Sequence, residues 1–304
     1  EKALAIKPDY AEVHYNLGVT FQELSQLDAA VKSYEKALAI KPDYAIACNN
    51  LGFTLQELGQ LDAAVKSYEK ALTIKPDFAD ACNNLGITFK KLGQLDAAVK
   101  SYEKALAIKP DYAEAHNNLG NALNDLGQLD AAVKCFERAL AIKPDYADAH
   151  NNLGNTLRDL NQLNASIKSF EKALAIKPDY AEAHNNLGNA LNDLGQLDAA
   201  VKCFERALAI KPDYADAHNN LGNTLRDLNQ LNASIKSFEK ALAIKPDFAE
   251  AYHNYGGAMK HLKRPDKALV SYERAITLKP DINFLLGDLL HTKMHLCLWD
   301  DLPN

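Results

Sequence analysis

The sequence predicts an all-α protein built as a solenoid of antiparallel helix pairs. Proline recurs every 34 residues along the 304-residue chain, at Pro8, Pro42, Pro76, Pro110, Pro144, Pro178, Pro212, Pro246 and Pro280. A fixed period of this length is typical of stacked repeats rather than of separate globular domains. Eight 34-residue repeats fill residues 11–282, and positions within each repeat are numbered 1 to 34 below.

Each repeat contains two apolar patterns at helical spacing. In repeat 113–146, apolar residues recur from Ala115 to Leu126 and again from Leu129 to Leu140. Apolar residues spaced three and four apart predict amphipathic helices, which we name helix A and helix B.

The ends of these helices carry their own signals. Gly127 and Gln128 interrupt the apolar pattern between helix A and helix B. We expect Asp130 to cap helix B, because aspartate is a favoured N-cap residue. Pro144 disfavours helical backbone at Lys143 and should therefore end helix B. Helix A begins with a second capping signal, Asp111 with Glu114 three residues later.

Glycine occupies position 8 of every repeat, in the middle of helix A. Glycine inside a helix costs about 1 kcal/mol relative to alanine. Its presence in all eight repeats predicts that the backbones of two helices approach closely there. The residues are Gly18, Gly52, Gly86, Gly120, Gly154, Gly188, Gly222 and Gly256.

The two ends of the chain depart from the repeat pattern. Residues 1–10 match the end of helix B and predict a partial repeat. We therefore expect the chain to begin inside a repeat and to be a fragment of a longer protein. Residues 283–304 predict a capping helix followed by the start of a linker to a further C-terminal domain.

The predicted C-terminal helix is apolar on two sides. One stripe contains Leu285, Leu289 and Leu296, and the other contains Leu286, Leu290, Met294 and Cys297. The first stripe can pack on residues 249–282, whereas nothing in the sequence covers the second. We therefore expect self-association through the 284–299 helix.

The composition excludes several classes of partner. A formal net charge of −6 argues against nucleic acid or an anionic membrane as the main partner. No apolar run approaches the ~20 residues that a membrane span requires. The five cysteines form no CxxC pair, which indicates buried thiols in a reducing compartment, and we expect a cytoplasmic location.

Histidine is frequent, but its spacing does not favour a metal site. His116, His150, His184 and His218 occur once per repeat at position 4. Packed helices lie on the order of 10 Å apart, too far for these side chains to share one zinc ion. His291 and His295 lie one turn apart, without the glutamate of an HExxH motif. We expect no metal, no cofactor and no catalytic residue in this chain.

Several positions together resemble the tetratricopeptide repeat. They are Leu or Tyr followed by Gly at positions 7 and 8, Ala or Ser at 20, Phe or Tyr at 24, Ala at 27 and Pro at 32. The resemblance covers residues 11–282 as eight repeats, although the tryptophan often found at position 4 is absent. It implies a right-handed superhelix in which positions 2, 5, 6, 9, 12 and 13 of helix A line a concave groove.

Asparagine is abundant at these groove positions although it is a poor helix former. A primary amide offers both a donor and an acceptor, so a row of amides can pair with the backbone of an extended peptide. The alternative is that the amides solvate the groove or bond neighbouring repeats to one another. We favour a peptide track formed by Asn16, Asn50, Asn84, Asn118, Asn152, Asn186, Asn220 and Asn254 at position 6 and by Asn121, Asn155, Asn189 and Asn223 at position 9.

Position 13 is mostly acidic. Its aspartates are Asp125, Asp159, Asp193 and Asp227. They either bias the choice of peptide or form a solvated charged face.

The asparagine ladder is similar to the tetratricopeptide region of O-GlcNAc transferases, which carries protein substrates to a C-terminal glycosyltransferase domain. Residues 284–304 also resemble the segment that joins the last repeat to the catalytic half in bacterial members of this class. The resemblance implies a chain that recruits protein substrates for a glycosyltransferase located beyond residue 304. The alternative is a stand-alone adaptor for protein-complex assembly with no attached enzyme. In both cases the partner is a protein or an extended peptide in the concave groove.

Overall fold

The computed structural model describes residues 10–298, and all regular structure in that range is α-helical. The prediction of an all-α protein built from helix pairs is confirmed. The partial repeat predicted for residues 1–10 falls outside the described residues, apart from Tyr10, as does the segment after residue 298. The chain divides into two compact halves, 1–156 and 157–304, which are described separately below.

Helix A and helix B alternate along the chain. The first half contains α1 (Ala11–Glu23), α2 (Leu27–Ile40), α3 (Ala45–Glu57), α4 (Leu61–Ile74), α5 (Ala79–Lys91), α6 (Leu95–Ile108), α7 (Ala113–Asp125) and α8 (Leu129–Ile142). Helix α9 (Ala147–Asp159) contains the boundary between the two halves, after residue 156. The second half continues with α10 (Leu163–Ile176), α11 (Ala181–Asp193), α12 (Leu197–Ile210), α13 (Ala215–Asp227), α14 (Leu231–Ile244), α15 (Ala249–His261), α16 (Pro265–Leu278) and α17 (Leu285–His295).

A left-handed residue ends helix A and turns the chain into helix B. Gly127 has a φ of 73°, and its N–H donates to the carbonyl of Asn124 at 2.9 Å. The N–H of Gln128 donates to the carbonyl of Leu123, also at 2.9 Å. These two bonds form a Schellman motif, which satisfies carbonyl groups at the end of the helix. Where the repeats lack glycine, the same left-handed position holds Ser25, Asn161, Asn229 or Lys263.

The predicted side-chain caps are wrong. The N-cap residues are Gln128 for α8 and Tyr112 for α7, and neither cap has a side-chain hydrogen bond. Asp130 lies inside the first turn of α8, because the Schellman turn ends at Gln128 and the helix starts directly after it. Asp111 precedes the N-cap of α7, and Glu114 lies in its first turn. The acidic residues in the first turns still stabilise these helices, because their negative charge interacts favourably with the helix dipole.

Helix B ends where the proline predicts. Helix α8 ends at Ile142, and Lys143 is its C-cap residue with a non-helical ψ of 86°. The ammonium of Lys143 then lies 4.9 Å from the centroid of the Tyr146 ring. A cation above an aromatic face is attracted by the ring quadrupole, which stabilises the link into the next repeat.

The glycine of helix A packs against the aromatic ring at position 24 of helix B. A Cβ added to Gly188 would lie 2.6 Å from Cε1 of Phe204, and this ring is fully buried. The predicted close approach is therefore present, but its partner is a ring and not the backbone of the second helix. The same contact pairs Gly18 with Tyr34, Gly52 with Tyr68, Gly86 with Tyr102, Gly120 with Phe136, Gly222 with Phe238 and Gly256 with Tyr272.

Neighbouring repeats share one core within each half. In the second half, Phe204 packs with Leu187 and Leu191 of its own repeat and with Leu221 and Leu225 of the next. In the first half, Leu55, Tyr68 and Leu85 form the corresponding cluster. Each repeat therefore completes its core only with a neighbour, as in other solenoids.

Helix α17 covers the last repeat with one of its two apolar stripes. Leu285 and Leu289 are buried in a cluster with Tyr272. Leu286 and Met294 on the other stripe remain 53% and 51% exposed. No helix of residues 10–298 is long and apolar enough to span a membrane.

Asp288 anchors α17 to the last repeat by polar contacts. Its carboxylate lies 3.0 Å from Nε2 of His253 and 3.4 Å from Nζ of Lys260. Partial burial acts to raise the pKa of Asp288, but the hydrogen bond from His253 and the charge of Lys260 outweigh it and lower the pKa.

Replacing Gly188 with valine should destabilise the protein by about 1–3 kcal/mol, because even its Cβ would lie 2.6 Å from the fully buried Phe204 ring. The matched control is Gly257→Val, where the nearest atom to an added Cβ is Nη1 of Arg226 at 3.6 Å, an ordinary contact. The control should change stability by no more than about 0.5 kcal/mol. Urea unfolding measures both variants, and equal losses would contradict the packing described for Gly188.

Candidate functional site

The asparagines at position 6 bond most of the repeats to the repeat before. Nδ2 of Asn118 donates to Oδ1 of Asn83, at position 5 of the preceding repeat, over 3.0 Å. The same bond, 3.0–3.2 Å long, joins Asn84 to Asn49, Asn152 to Asn117, Asn220 to Asn185 and Asn254 to Asn219. Repeat-to-repeat bonding, one of the two interpretations left open by the sequence, is therefore present.

The position-6 amides keep bonding capacity after this contact is made. An asparagine amide has two N–H donors and an acceptor oxygen, and the inter-repeat bond uses one donor. Asn118, Asn152, Asn220 and Asn254 are half-buried, whereas their position-5 acceptors are buried. The position-5 amides thus belong to the interior, and the position-6 amides lie between interior and solvent.

In the second repeat, a tyrosine replaces the preceding position-5 asparagine. Nδ2 of Asn50 donates to Oη of Tyr15 at 3.1 Å, and Oδ1 of Asn50 accepts from Nδ2 of Asn49 at 3.2 Å. Asn16 of the first repeat is exposed. In the sixth repeat, Oδ1 of Asn186 accepts a hydrogen bond from Nδ2 of Asn185 at 3.4 Å.

The asparagines at position 9 are arranged differently. Asn121, Asn155, Asn189 and Asn223 are half-buried, and within residues 10–298 none of their side chains forms a hydrogen bond. Oδ1 of Asn223 is buried without a partner in the described part of the chain. The predicted site residues therefore separate into position-6 amides that are partly committed and position-9 amides that are free to bond.

A second row of contacts between repeats was not predicted. The buried hydroxyl of Thr224, at position 10, donates to Oδ1 of Asn192, at position 12 of the preceding repeat, over 2.8 Å. The equivalent pairs are Thr54 with Gln22, Thr88 with Gln56 and Thr156 with Asn124, at 2.6–3.1 Å.

Where position 10 is alanine, the preceding position 12 carries a cation instead of an amide. The pairs are Lys90 with Ala122, Arg158 with Ala190 and Arg226 with Ala258. Nζ of Lys90 lies 3.1 Å from Asp125, and Nε of Arg158 lies 3.5 Å from Asp193, so these cations reach position 13 of the next repeat. The correlation between positions 12 and 10 is visible in the sequence and is the signal that could have revealed this row.

Three of the four predicted acidic site residues are therefore neutralised within the chain. Asp125 and Asp193 pair with the preceding repeat, and Asp227 lies 3.4 Å from Arg226 on its own helix. Asp159 has no ion pair among residues 10–298. The paired aspartates are 43–48% exposed, so each pair is worth only ~0–1 kcal/mol.

The position-4 histidines bond to the backbone of the preceding turn. Nε2 of His116 and His184 lies 3.0 Å from the carbonyl oxygens of Pro110 and Pro178, which fixes the ring orientation. Burial lowers the pKa of His218, although its bond to the Pro212 carbonyl acts in the opposite direction. In the described part of the chain, no cluster of three or more His, Cys, Asp or Glu side chains is arranged to hold a metal ion.

Two of the cysteines behave as small buried side chains. Cys48 and Cys82 are each 1% exposed, and burial raises the pKa of both thiols. Such thiols are poor nucleophiles. Cys297 is exposed.

Family models match most of the chain. A model described as TPR repeat matches residues 55–93, 88–124, 120–157, 154–191, 188–225 and 222–263. Three models described as tetratricopeptide repeat match residues 11–44, 33–66 and 249–282. A comparison with curated proteins gave no significant match.

Several solved structures share the fold. The APC/C hetero-tetramer Cut9–Hcn1 is 17% identical with a TM-score of 0.69, covering 88% of this chain and 52% of that chain. MamA is 30% identical with a TM-score of 0.50, covering 55% of this chain and 97% of that one. YrrB, described as a TPR protein with an unusual peptide-binding site, is 24% identical with a TM-score of 0.51. The match covers 64% of this chain and 99% of YrrB. The chain thus spans about half the length, 52%, of the first of these proteins.

The two classes of asparagine should respond differently to alanine. Asn118→Ala should cost about 1–3 kcal/mol of stability, because it leaves the buried Oδ1 of Asn83 without its donor. Asn121→Ala, three residues away on the same helix, removes no bond and should change stability by no more than about 0.5 kcal/mol. Urea unfolding distinguishes the two, and equal stability of both variants would show that the inter-repeat bond contributes nothing.

Proposed function

Because the chain belongs to the tetratricopeptide repeat family, we propose that it binds extended polypeptide segments along the asparagines of its A helices. The observation that carries this proposal is the set of position-9 amides that have no partner within residues 10–298. The clearest member is Asn223, whose buried Oδ1 costs free energy that a ligand donor can restore.

The geometry favours recognition of the peptide backbone. Positions 6 and 9 are three residues apart and so share one helix face. Asn118 contributes its second N–H and its carbonyl oxygen, and Asn121 contributes a complete amide group. A peptide backbone offers one donor and one acceptor per residue, which these amides complement whatever the peptide side chains are.

The inter-repeat bonds prepare this surface for binding. Five position-6 amides are held by the preceding repeat, so the remaining donor of each is already oriented before a ligand arrives: Asn84, Asn118, Asn152, Asn220 and Asn254. Ordering a side chain at an interface costs about 0.5–1.5 kcal/mol, and orientation in advance avoids part of that cost. The same bonds that stiffen the stack therefore strengthen the proposed track.

Charge contributes less than backbone hydrogen bonding to the choice of peptide. Asp125, Asp193 and Asp227 are paired with cations of the chain itself. Asp159 is the acidic residue of the predicted site that can attract a basic side chain of the ligand. We therefore propose a largely sequence-tolerant track with a weak preference for a basic residue near Asp159.

We propose further that the domain recruits substrates for a protein glycosyltransferase of the O-GlcNAc transferase class in the cytoplasm. The support is the similarity of the asparagine ladder and of residues 284–304 to that class. Two experiments test this proposal. The reading frame beyond residue 304 is sequenced, and the full protein is assayed for transfer of N-acetylglucosamine to a bound peptide. A frame without a glycosyltransferase domain would favour the stand-alone adaptor.

We also propose that two copies of the chain associate through the uncovered stripe of α17. The support is the exposure of Leu286 and Met294, about two turns apart on a helix whose opposite stripe, Leu285 and Leu289, is buried. Large apolar side chains exposed together are typical of contact surfaces.

Replacing Asn121, Asn155, Asn189 and Asn223 together with alanine should weaken peptide binding by about 0.5–1.5 kcal/mol for each hydrogen bond lost. The probe is a peptide selected from a random library for binding to the unmodified protein, and titration calorimetry measures its affinity. The control variant carries Asn164→Ala and Asn232→Ala on helix B, where both asparagines are exposed, and should bind as the unmodified protein does.

A chemical change in the ligand provides the second arm. Methylating alternate backbone nitrogens of the selected peptide removes N–H donors and should weaken binding, whereas exchanging its side chains should not. Retention of full affinity by the four-asparagine variant, or by the methylated peptide, would exclude the track.

The double variant Leu286→Glu with Met294→Glu should be monomeric where the unmodified chain associates. Charges at the centre of an apolar contact carry a desolvation cost that no partner offsets. Light scattering across a concentration series measures the mass. The control is Val270→Glu, which alters a 67% exposed apolar residue on α16 and should leave the association unchanged. A monomeric unmodified chain at high concentration would contradict this proposal.

A further inference from the structure

A cavity of about 410 Å³ lies beside the last helix pair, outside the asparagine track. It is lined by Lys260, Lys263, Pro265, His291, Thr292 and His295. These residues come from the end of α15, the turn and first residue of α16, and the C-terminal half of α17. Its volume falls within the range of about 300–1,000 Å³ that is typical of small-molecule sites.

The polar lining of this cavity is basic. Four of its six lining residues are lysine or histidine, and no carboxylate lines it among the described residues. Lys260 already shares Asp288 with His253. Lys263 has no acidic partner within residues 10–298 and is exposed. Lys263 therefore brings to the cavity a positive charge that no carboxylate of the described residues balances, and a bound anion would balance it.

The turn does not require a lysine at this point. Lys263 occupies the left-handed position of the A–B turn with φ of 57°, where other repeats carry glycine, asparagine or serine. Asparagine tolerates this conformation better than lysine does. The backbone therefore gives no reason for the lysine, and its position at the cavity does.

Two imidazoles line the same cavity as the lysines. His291 and His295 are four residues apart on α17 and so face the same side of that helix. Both are exposed, and neither forms a hydrogen bond with the residues that the structure describes. Two ammonium groups and two imidazoles can together surround a tetrahedral anion.

We propose that this cavity binds an organic phosphate monoester. The phosphoryl group matches the four nitrogen donors, which charge-assisted hydrogen bonds would hold strongly. The remaining wall is formed by the Pro265 ring and by the buried Thr292, so the ligand also has a compact apolar body. A phosphorylated side chain of a protein and a free small phosphate ester share this chemistry.

The test uses phenyl phosphate as the probe, with titration calorimetry on the complete chain. We expect saturable binding with one site, and a loss of about tenfold or more in affinity for Lys263→Asn combined with His295→Gln, since each tenfold step corresponds to about 1.4 kcal/mol. Lys263→Asn introduces the residue that other repeats carry at this turn, so folding should be retained, which circular dichroism verifies. The matched control is Ser25→Asn, at the same turn position of the first repeat, and it should bind phenyl phosphate normally.

Two further probes sharpen the result. Benzyl alcohol has the ring without the phosphate and should not bind. A phosphothreonine peptide that binds more tightly than phenyl phosphate identifies a protein side chain as the source, and weaker binding identifies a free ester; both agree with the proposal. Absence of saturable binding of phenyl phosphate and of the phosphopeptide, equal binding of benzyl alcohol, or unchanged affinity of the cavity variant would overturn it.

Discussion

The contact between a buried aromatic ring and a glycine holds each helix pair together. In repeat 181–214 the Phe204 ring occupies the space where a side chain at residue 188 would lie, so the two helices can approach this closely only with glycine there. A buried aromatic side chain contributes a large share of the apolar area of a small repeat. Because position 8 faces helix B, the helical period directs positions 6 and 9 to other sides of helix A. The candidate peptide surface is thus a consequence of how the core is packed.

Linkage between repeats depends on polar side chains set between the apolar clusters. Amides at positions 5 and 6 form one row, and the residues at positions 10, 12 and 13 form another. A buried hydrogen bond constrains geometry more sharply than apolar contact does, since it requires a narrow range of distance and angle. These rows therefore set the stagger of one repeat on the next. The position-6 asparagines belong both to this framework and to the proposed ligand surface, whereas the position-9 asparagines belong to the surface alone.

Features with a local cause could be predicted from the sequence, and features that depend on the stagger of repeats could not. Apolar spacing and Pro144 determine where α8 lies and ends, because both act within a few residues. The partner of Asn118 lies 35 residues away and becomes identifiable only when the offset between repeats is known. The prediction that Asp130 caps α8 is wrong because the turn ends at Gln128, so the helix begins before Asp130 is reached. The basic cavity at α17 lies where the repeat pattern has ended, so periodicity carried no information about it.

The alternating linkages have a consequence for how the length of this chain can change. From the third repeat onward, a cation–alanine linkage alternates with an amide–threonine linkage. Loss of one repeat would set Asn124 against Ala190, whose methyl group offers no hydroxyl to its amide oxygen. Loss of two would set Asn124 against Thr224 and restore the bond. Residues 103–179 recur unchanged as 171–247, a copy of two repeats. Gain or loss of an even number of repeats within this region would therefore preserve every linkage between neighbours, whereas an odd number would leave one mismatched pair.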